Sequence, residues 1–182
     1  NNVELQHNME ISLKNKKALV GRSTQGLGKA IALQLAECGA TVTLMARNEE
    51  RLKSVLKELP DQHGQKHSYL VADFSELNNF KEIISAFLKA NPVDILVNNT
   101  NGPEAGGVME KGISDYQTAF NLIFQTVCCT TLEALPYMIK NNFGRIINVS
   151  SITIKEPLQH LVLSNAIRSS LISWTKTAHS NG

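Results

Sequence analysis

The sequence predicts an α/β fold in which helices cover both faces of a five-stranded parallel sheet. Short apolar segments typical of buried strands recur about every 25 residues, and one-sided apolar stripes typical of helices lie between them. A glycine-containing turn follows the first strand. Strands and helices that alternate in this way are joined by right-handed crossovers. We therefore expect a doubly wound sheet with the strand order 3-2-1-4-5.

The first strand, at Ala18–Val20, leads into a turn and then a helix, where we expect a nucleotide to bind. A helix N-terminus offers unpaired N–H groups and a partial positive charge, which together favour a phosphate. The ATP- and GTP-binding loop needs Lys and then Ser or Thr after its last glycine, and this turn lacks both. The cofactor-binding residues predicted here are Gly21, Arg22, Ser23, Gly26, Leu27 and Gly28.

The remaining elements follow the same alternation. The first helix has Leu27, Ile31 and Leu35 on one face, and Gly39 is expected to cap its end. Ser75 is the expected N-cap of the third helix, and Pro136 should kink or shorten the long fourth helix. The predicted strands after the first are residues 41–45, 67–71, 95–97 and 145–149, and the last two helices are residues 114–139 and 164–179.

Composition describes an ordinary globular chain. The 182 residues suit one domain, which we place at residues 13–182, after a polar tail at residues 1–12. The net charge of +2 comes from scattered basic residues, so no nucleic-acid partner is expected. We find no apolar run of about 20 residues and no signal peptide, and we expect no membrane partner and a cytoplasmic location. Three cysteines without zinc-ligand spacing are expected to be reduced thiols, and no metal site is predicted.

The end of the second strand bears on the choice of cofactor. An NAD site has an acid about 20 residues past the glycines, whereas an NADP site has an arginine near the 2′-phosphate. Here Arg47 follows the strand and no acid precedes it, so NADP is favoured over NAD. The alternative for Arg47 is an exposed arginine at the start of a helix.

The glycine turn and the segment 94–99, Asp-Ile-Leu-Val-Asn-Asn, resemble the short-chain dehydrogenase/reductase family, which has a Rossmann-type fold. The resemblance implies that Asn98 and Asn99 hold the turn and the adenosine ribose. It also implies that Asp73 meets the adenine amino group, although a turn-capping aspartate is the alternative. The family's first glycine falls on Arg22, where a positive φ would be costly.

The same resemblance implies a catalytic Asn, Ser, Tyr and Lys. Asn121 and Ser151 match the first two, but the Tyr and Lys positions hold Ser164 and Arg168. An aliphatic hydroxyl is shorter and far less acidic than a phenol, and an arginine hardly releases its proton. Other roles for these two residues are an N-cap at Ser164 and a solvated Arg168, and His160 is a conceivable substitute acid.

Two functional hypotheses follow from the resemblance. The first is an NADP(H)-dependent reductase acting on a small-molecule ketone or 3-oxoacyl thioester. The alternative is a catalytically impaired homologue that binds nucleotide or serves as a regulatory or structural subunit. The helices that start near Ser114 and Ser164 commonly pair in family dimers, so a homo-oligomer, dimer or tetramer, is expected. The family usually continues for about 60 residues more, and we expect this domain to be incomplete at its C-terminus.

Overall fold

The five predicted strands form one parallel sheet. The computed structural model describes residues 11–179, so almost all of the predicted tail lies outside the described residues. The strand order is β3-β2-β1-β4-β5, as predicted. The strands are β1 Lys17–Gly21, β2 Thr41–Ala46, β3 Ser68–Val71, β4 Ile95–Asn98 and β5 Arg145–Asn148.

Helices connect the strands and cover both faces of the sheet. Two short 3₁₀ turns lie in loops, Val108–Glu110 after β4 and Ile152–Ile154 after β5. The helices are α1 Gly26–Glu37, α2 Glu49–Leu56, α3 Leu77–Ala90, α4 Ile113–Ala119, α5 Thr126–Lys140 and α6 Val162–His179, with a π-helical segment at Phe120–Gln125 between α4 and α5.

The core has one layer on each face of the sheet because neighbouring strand residues point in opposite directions. In β1, Ala18 and Val20 pack with α1 and α2, whereas Leu19 packs on the opposite side with α3 and α5. A smaller cluster around Ile123 and Leu171 joins the π-helical segment to α6. Because helices cover both of its faces, the sheet is buried in the interior, and the loops that follow its strands lie at its carboxyl edge.

The reversal of winding lies between β1 and β4. Val20 of β1 is paired with Leu44 of β2 on one side and with Val97 of β4 on the other. Gly21 and Asn98 therefore end neighbouring strands at the same edge. Ligands of doubly wound sheets bind at this point, because the helices diverge to opposite faces there and leave a crevice.

The apolar face predicted for α1 is confirmed in part. Ile31 and Leu35 are half-buried and pack against the core, whereas Leu27 is 66% exposed. The buried residues of the helix are Gly28, Ala32 and Ala36, because small side chains at four-residue spacing let it approach the sheet closely. The predicted cap is confirmed: Gly39 has φ +97°, and the N–H groups of Gly39 and Ala40 bond back to the last turn of α1.

The expected cap of α3 was wrong. Ser75 does not cap this helix; its N–H and hydroxyl both donate to Asp73, and α3 begins two residues later, after Glu76. Pro136 lies inside α5, which continues to Lys140, so it does not shorten the helix, and the alternative of a kink stays a prediction.

The continuous helix Ile113–Lys140 is long and apolar enough, by length and composition alone, to cross a membrane. An 18-residue stretch within its 28 residues reaches a mean hydropathy of 1.3, a level that core helices of soluble proteins also reach. The helix has no unbroken apolar run of that length, so it was not expected from the sequence. In the structure this helix lies against α3 and α6, and Ile123, Val127 and Ala134 are buried in the core.

Candidate functional site

The turn after β1 is built on two glycines that have no room for a side chain. A Cβ added at Gly28 would lie 2.3 Å from the carbonyl oxygen of Arg22 and 2.8 Å from Asn99 Nδ2. A Cβ at Gly21 would lie 2.7 Å from the Asn99 carbonyl oxygen. Gly26 has φ +56°, a conformation that favours glycine. The turn, the start of α1 and the loop after β4 are therefore packed backbone against backbone.

The first turn of α1 is open toward the crevice. The side chain of its N-cap residue, Gln25, makes no capping hydrogen bond and instead accepts from Arg51 Nη1 at 3.3 Å. Leu27, the second helical residue, is exposed. N–H groups at a helix start with no side-chain acceptor suit an external anion.

Arg22 and Ser23 fix the shape of the turn. Arg22 has φ 47°, so the left-handed conformation that is costly for a residue with a Cβ falls on this arginine. Ser23 is fully buried, and its Oγ accepts from the N–H of Met45 at 2.9 Å while its own N–H donates to the Met45 carbonyl at 3.3 Å. Ser23 thus ties the turn to the end of β2.

A cavity of about 130 Å³ lies between the turn and the ends of β2 and β3. It brings together three of the predicted residues, Arg22, Arg47 and Asp73. Sequence reasoning missed Arg51, whose spacing of four from Arg47 is one turn of helix and could have indicated a shared face. The other lining residues are Thr24, Gln25, Ala46, Asn48, Phe74 and Asn101.

Asp73 is held inside this cavity as a charged, turn-forming residue. Its Oδ1 accepts from the N–H of Ser75 at 2.9 Å and from the Ser75 hydroxyl at 2.7 Å. Burial raises the pKa of Asp73, but the two Ser75 hydrogen bonds and the charge of Arg47 together outweigh it and lower the pKa below its ordinary value. The structure thus shows the turn-capping role, and the other carboxylate oxygen remains for a ligand.

The two asparagines after β4 have different partners. Asn98 Nδ2 donates to Thr131 Oγ1 at 3.1 Å and to Asn148 Oδ1 at 2.8 Å, which joins β4 to α5 and β5. Asn99 faces the other way, with its amide against Gly28. Asn98 therefore positions the sheet edge, and Asn99 is the one that meets the turn.

Asn121 lies in the π-helical segment of the long helix. Its Oδ1 accepts from Gln117 Nε2 at 2.8 Å and from Gln125 Nε2 at 2.7 Å. π-Helical segments inside longer helices are often found at functional sites. The sequence gave no signal of this segment, because the apolar spacing that predicts an α-helix does not resolve one added residue per turn.

Ser151, Ser164 and Arg168 gather beyond the end of β5. The hydroxyl of Ser151 accepts from the N–H of Thr153 at 3.3 Å and from the Thr153 hydroxyl at 3.1 Å. Arg168 Nε donates to Ser164 Oγ at 3.2 Å, and its Nη1 donates to the Val149 carbonyl at 3.3 Å. The helix begins at Val162, so the alternative of Ser164 as an N-cap is wrong, and Arg168 is 8% exposed rather than solvated.

His160 is exposed in the loop before α6, and its carbonyl accepts from the N–H of Gly106 at 2.6 Å. Among residues 11–177 no cluster of side chains suitable for a metal ion is found.

A profile of the family described as "short chain dehydrogenase" matches residues 16–181, nearly the whole chain. The chain belongs to the short-chain dehydrogenase family. This confirms the resemblance drawn from the glycine turn and from the segment 94–99. The parallel sheet and its strand order agree with solved structures of the family.

Three relatives show how this member compares. The 3-oxoacyl-[acyl-carrier-protein] reductase FabG of Aquifex aeolicus is 31% identical over 93% of this chain and 68% of its own. A very-long-chain 3-oxoacyl-CoA reductase of Anas platyrhynchos is 30% identical over 89% of this chain and 53% of its own. The structure of L-sorbose reductase from Gluconobacter frateurii, complexed with NADPH and L-sorbose, superposes with a TM-score of 0.87 at 25% identity, covering 95% of this chain and 66% of its own. The chain thus spans about half to two thirds of these relatives' lengths.

Proposed function

We propose that this short-chain dehydrogenase binds NADP(H) and reduces the carbonyl group of a ketone or 3-oxoacyl substrate. The observation that carries the proposal is the cavity beside the glycine turn, which is lined by Arg47, directly after β2, and by Arg51 of α2. Its one acid, Asp73, is engaged by Ser75. A site whose arginines outnumber its acids suits a phosphate better than a pair of ribose hydroxyls.

In the cofactor half, the N–H groups at the start of α1 would hold the pyrophosphate, next to Gly26, Leu27 and Gly28. The guanidinium of Arg47 would hold the 2′-phosphate, because its planar fork donates two hydrogen bonds to phosphate oxygens. Asn99 would face the adenosine ribose, and the free oxygen of Asp73 the adenine amino group. Ser23 and Asn98, whose polar groups are bonded within the protein, would position the turn.

In the chemical half, a bound nicotinamide supplies the hydride. The hydroxyls of Ser151 and Ser164 each accept a hydrogen bond from a neighbouring side chain, so each keeps its own hydrogen to donate. Ser151 would donate to the substrate carbonyl oxygen, and Ser164 stands where the family's acid stands. Asn121 would order the water of a proton relay. Because an alcohol is a weak acid, turnover is expected to be slow.

The second candidate is a homologue that binds nucleotide without turnover. One observation favours it: Arg168 uses two of its donor atoms on Ser164 and Val149, which makes the substituted pair a structural link between α6 and β5. A regulatory or structural subunit would keep such a link.

Cofactor choice is tested by titrating NADPH and NADH and following the melting temperature. We expect NADPH to stabilise the protein more than NADH, and Arg47→Ala to weaken NADPH about 10- to 100-fold while leaving NADH unchanged, since charged hydrogen bonds contribute about 1.5–3 kcal/mol. Arg145→Ala is the matched control, because Arg145 begins β5 at the opposite edge of the sheet. Equal responses to NADPH and NADH would contradict the proposal.

Turnover is tested with a panel of ketones and 3-oxoacyl thioesters by following NADPH oxidation. We expect slow oxidation that is lost in Ser151→Ala, with Ser169→Ala, an exposed serine of α6, as the control. If no substrate is reduced while NADPH still raises the melting temperature, the second candidate is favoured.

We further propose a cytoplasmic homo-oligomer that pairs through α5 and α6. Leu132 and Ile139 of α5 are 59% and 67% exposed, which suits a covered face in an assembly. Light scattering of the purified protein tests this: a monomeric mass would contradict it.

A further inference from the structure

The guanidinium of Arg168 is a buried charge without a counter-charge. Arg168 is 8% exposed, and both of its hydrogen-bond acceptors, Ser164 Oγ and the Val149 carbonyl, are neutral. Within residues 11–177, none of the ion pairs includes Arg168. Buried charges are ordinarily paired, because taking an ion out of water costs several kcal/mol.

The charge of Arg22, which acts on Arg168, has the same sign. Burial, and after it the charge of Arg22, lower the pKa of Arg168 below its ordinary value. Arg22 also lacks an ion pair in the part of the chain that the structure describes. Its backbone is left-handed, so this arginine is strained as well as unpaired.

Both arginines lie at the carboxyl edge of the sheet. Arg22 follows β1 directly, and its carbonyl lies against Gly28 at the start of α1. Arg168 reaches the carbonyl of Val149, which follows β5 and whose N–H bonds to the Asn98 carbonyl at the end of β4. The two arginines therefore stand on the two sides of the crevice, Arg22 in the turn, where it lines the cavity, and Arg168 on α6.

A structural link alone does not account for this arrangement. A glutamine at position 168 could donate to the Val149 carbonyl without burying a charge, and a glycine at position 22 would relieve the strain. Two like charges that are costly to the empty protein are explained by a ligand of opposite charge that neutralises both. An oxyanion such as a phosphate or carboxylate fits, since a guanidinium binds either through paired hydrogen bonds.

We propose that Arg168 and Arg22, which also lines the cavity of Arg47 and Arg51, form an oxyanion-binding pair at the junction of the glycine turn and the Ser151–Ser164 site. The identity of its ligand rests on the proposed function: the oxyanion is either the pyrophosphate of the cofactor or a carboxylate of the substrate. The pair then adds side-chain contacts to a site that the family fold builds from backbone.

The first experiment measures the melting temperature with inorganic pyrophosphate and, separately, with acetoacetate, a 3-oxo acid. We expect at least one of them, at about ten times its dissociation constant, to raise the melting temperature by about 3–5 °C. Arg168→Gln and Arg22→Gly should each weaken that response at least about tenfold. Arg145→Gln is the matched control and should leave the response intact.

The Arg22→Gly variant provides a second, independent test of the pair. Because glycine adopts the left-handed conformation freely, this variant should melt about 2 °C higher than the parent without ligand and yet respond less to the anion. A gain in stability together with a loss of binding cannot come from misfolding, so the test holds even if Arg168→Gln folds poorly.

Adding NADPH distinguishes the two sources of the oxyanion. An anion response that NADPH abolishes identifies the cofactor's pyrophosphate as the ligand, and one that adds to the NADPH response identifies a substrate carboxylate. The pair is disproved if neither anion stabilises the protein, or if the response persists in both variants and depends instead on Arg47. Failure of the proposed cofactor is a different result, namely an NADPH response that Arg47→Ala does not change.

Discussion

The two halves of the candidate site differ in whether backbone or side chains form them. The cofactor half is made of backbone: Gly21 and Gly28 leave no room for a Cβ, and the loop after β4 packs directly on them. The chemical half is made of side chains from separate elements, namely Asn121 in the π-helical segment, Ser151 after β5, and Ser164 and Arg168 on α6. A backbone site survives most substitutions around it, whereas a side-chain site changes with one residue.

Arg22 shows that the backbone half tolerates a substitution only at the cost of strain. The family has glycine at this place, and the chain keeps the turn by putting Arg22 into the left-handed conformation. Ser164 and Arg168 show the opposite outcome, because the substituted residues bond to each other and form a new arrangement. Under the proposed function we therefore expect cofactor binding and catalysis to be altered independently, and the following variants test that separation.

The largest effect is expected from restoring the family's acid with Ser164→Tyr and Arg168→Lys together. A phenol beside an ammonium is a workable general acid, and such groups contribute about 10²- to 10⁴-fold to a rate. We expect NADPH oxidation with a carbonyl substrate to rise at least about 100-fold, while NADPH affinity changes little. The rates are measured under substrate saturation.

The control for this double variant is Ser169→Tyr with Arg168→Lys, which adds a phenol to the exposed side of α6. It should leave the rate at the parent's level. A double variant that binds NADPH but gains no activity would show that the two halves are not separable in this way.

An intermediate effect is expected from Gly28→Ala, which disturbs the backbone packing of the cofactor half. The added Cβ would overlap the Arg22 carbonyl and the Asn99 amide, and such overpacking costs about 1–3 kcal/mol of unfolding free energy. We expect a lower melting temperature and loss of the NADPH response. Gly107→Ala is the control, since its Cβ would meet its nearest atom at an ordinary 3.7 Å. Unchanged NADPH binding in Gly28→Ala would contradict a site at this turn.

The smallest effect is expected from Asp73→Asn. The folded-state pKa of Asp73 is lowered, so its stabilisation is fully present above the ordinary aspartate value of 3.8 and is lost as the pH falls through the lowered value. Removing the charge should cost less than about 1 kcal/mol near neutral pH and reduce the loss of stability in acid. Melting curves from pH 7 to pH 3 measure this, with Asp61→Asn as an exposed control. If the melting temperature falls with pH in the same way in Asp73→Asn and in the parent protein, the prediction is contradicted.

The fold was predictable because its signals are local and repeated. Apolar strand segments such as Ala18–Val20, and Gly39 at a helix end, each act within a few residues. The predictions that failed did so for two reasons. Close packing of α1 on the sheet, a tertiary effect, buried Gly28, Ala32 and Ala36 in place of Leu27. The bonds from Ser75 to Asp73, two residues earlier, are local but replace the expected cap.

The site was predictable only where a residue's place in the chain determines its place in space. Residues at strand ends, such as Arg47, Asp73 and Asn99, reach the carboxyl edge by topology alone. The structure was needed to show that Arg51 joins the same cavity and that Asn98 faces the sheet interior. It was also needed to show that Arg168 is buried, because burial depends on what packs around a helix face.

The bonds between Ser23 and Met45 tie the glycine turn to the strand that leads into Arg47. Arg47 lies only two residues beyond Met45, so we expect the turn and this arginine to keep a fixed relation. Under the proposed function, binding of the pyrophosphate and the choice between NADP and NAD would then depend on the same serine. Loss of these bonds is expected to weaken both, although Ser23 itself would not contact the nucleotide.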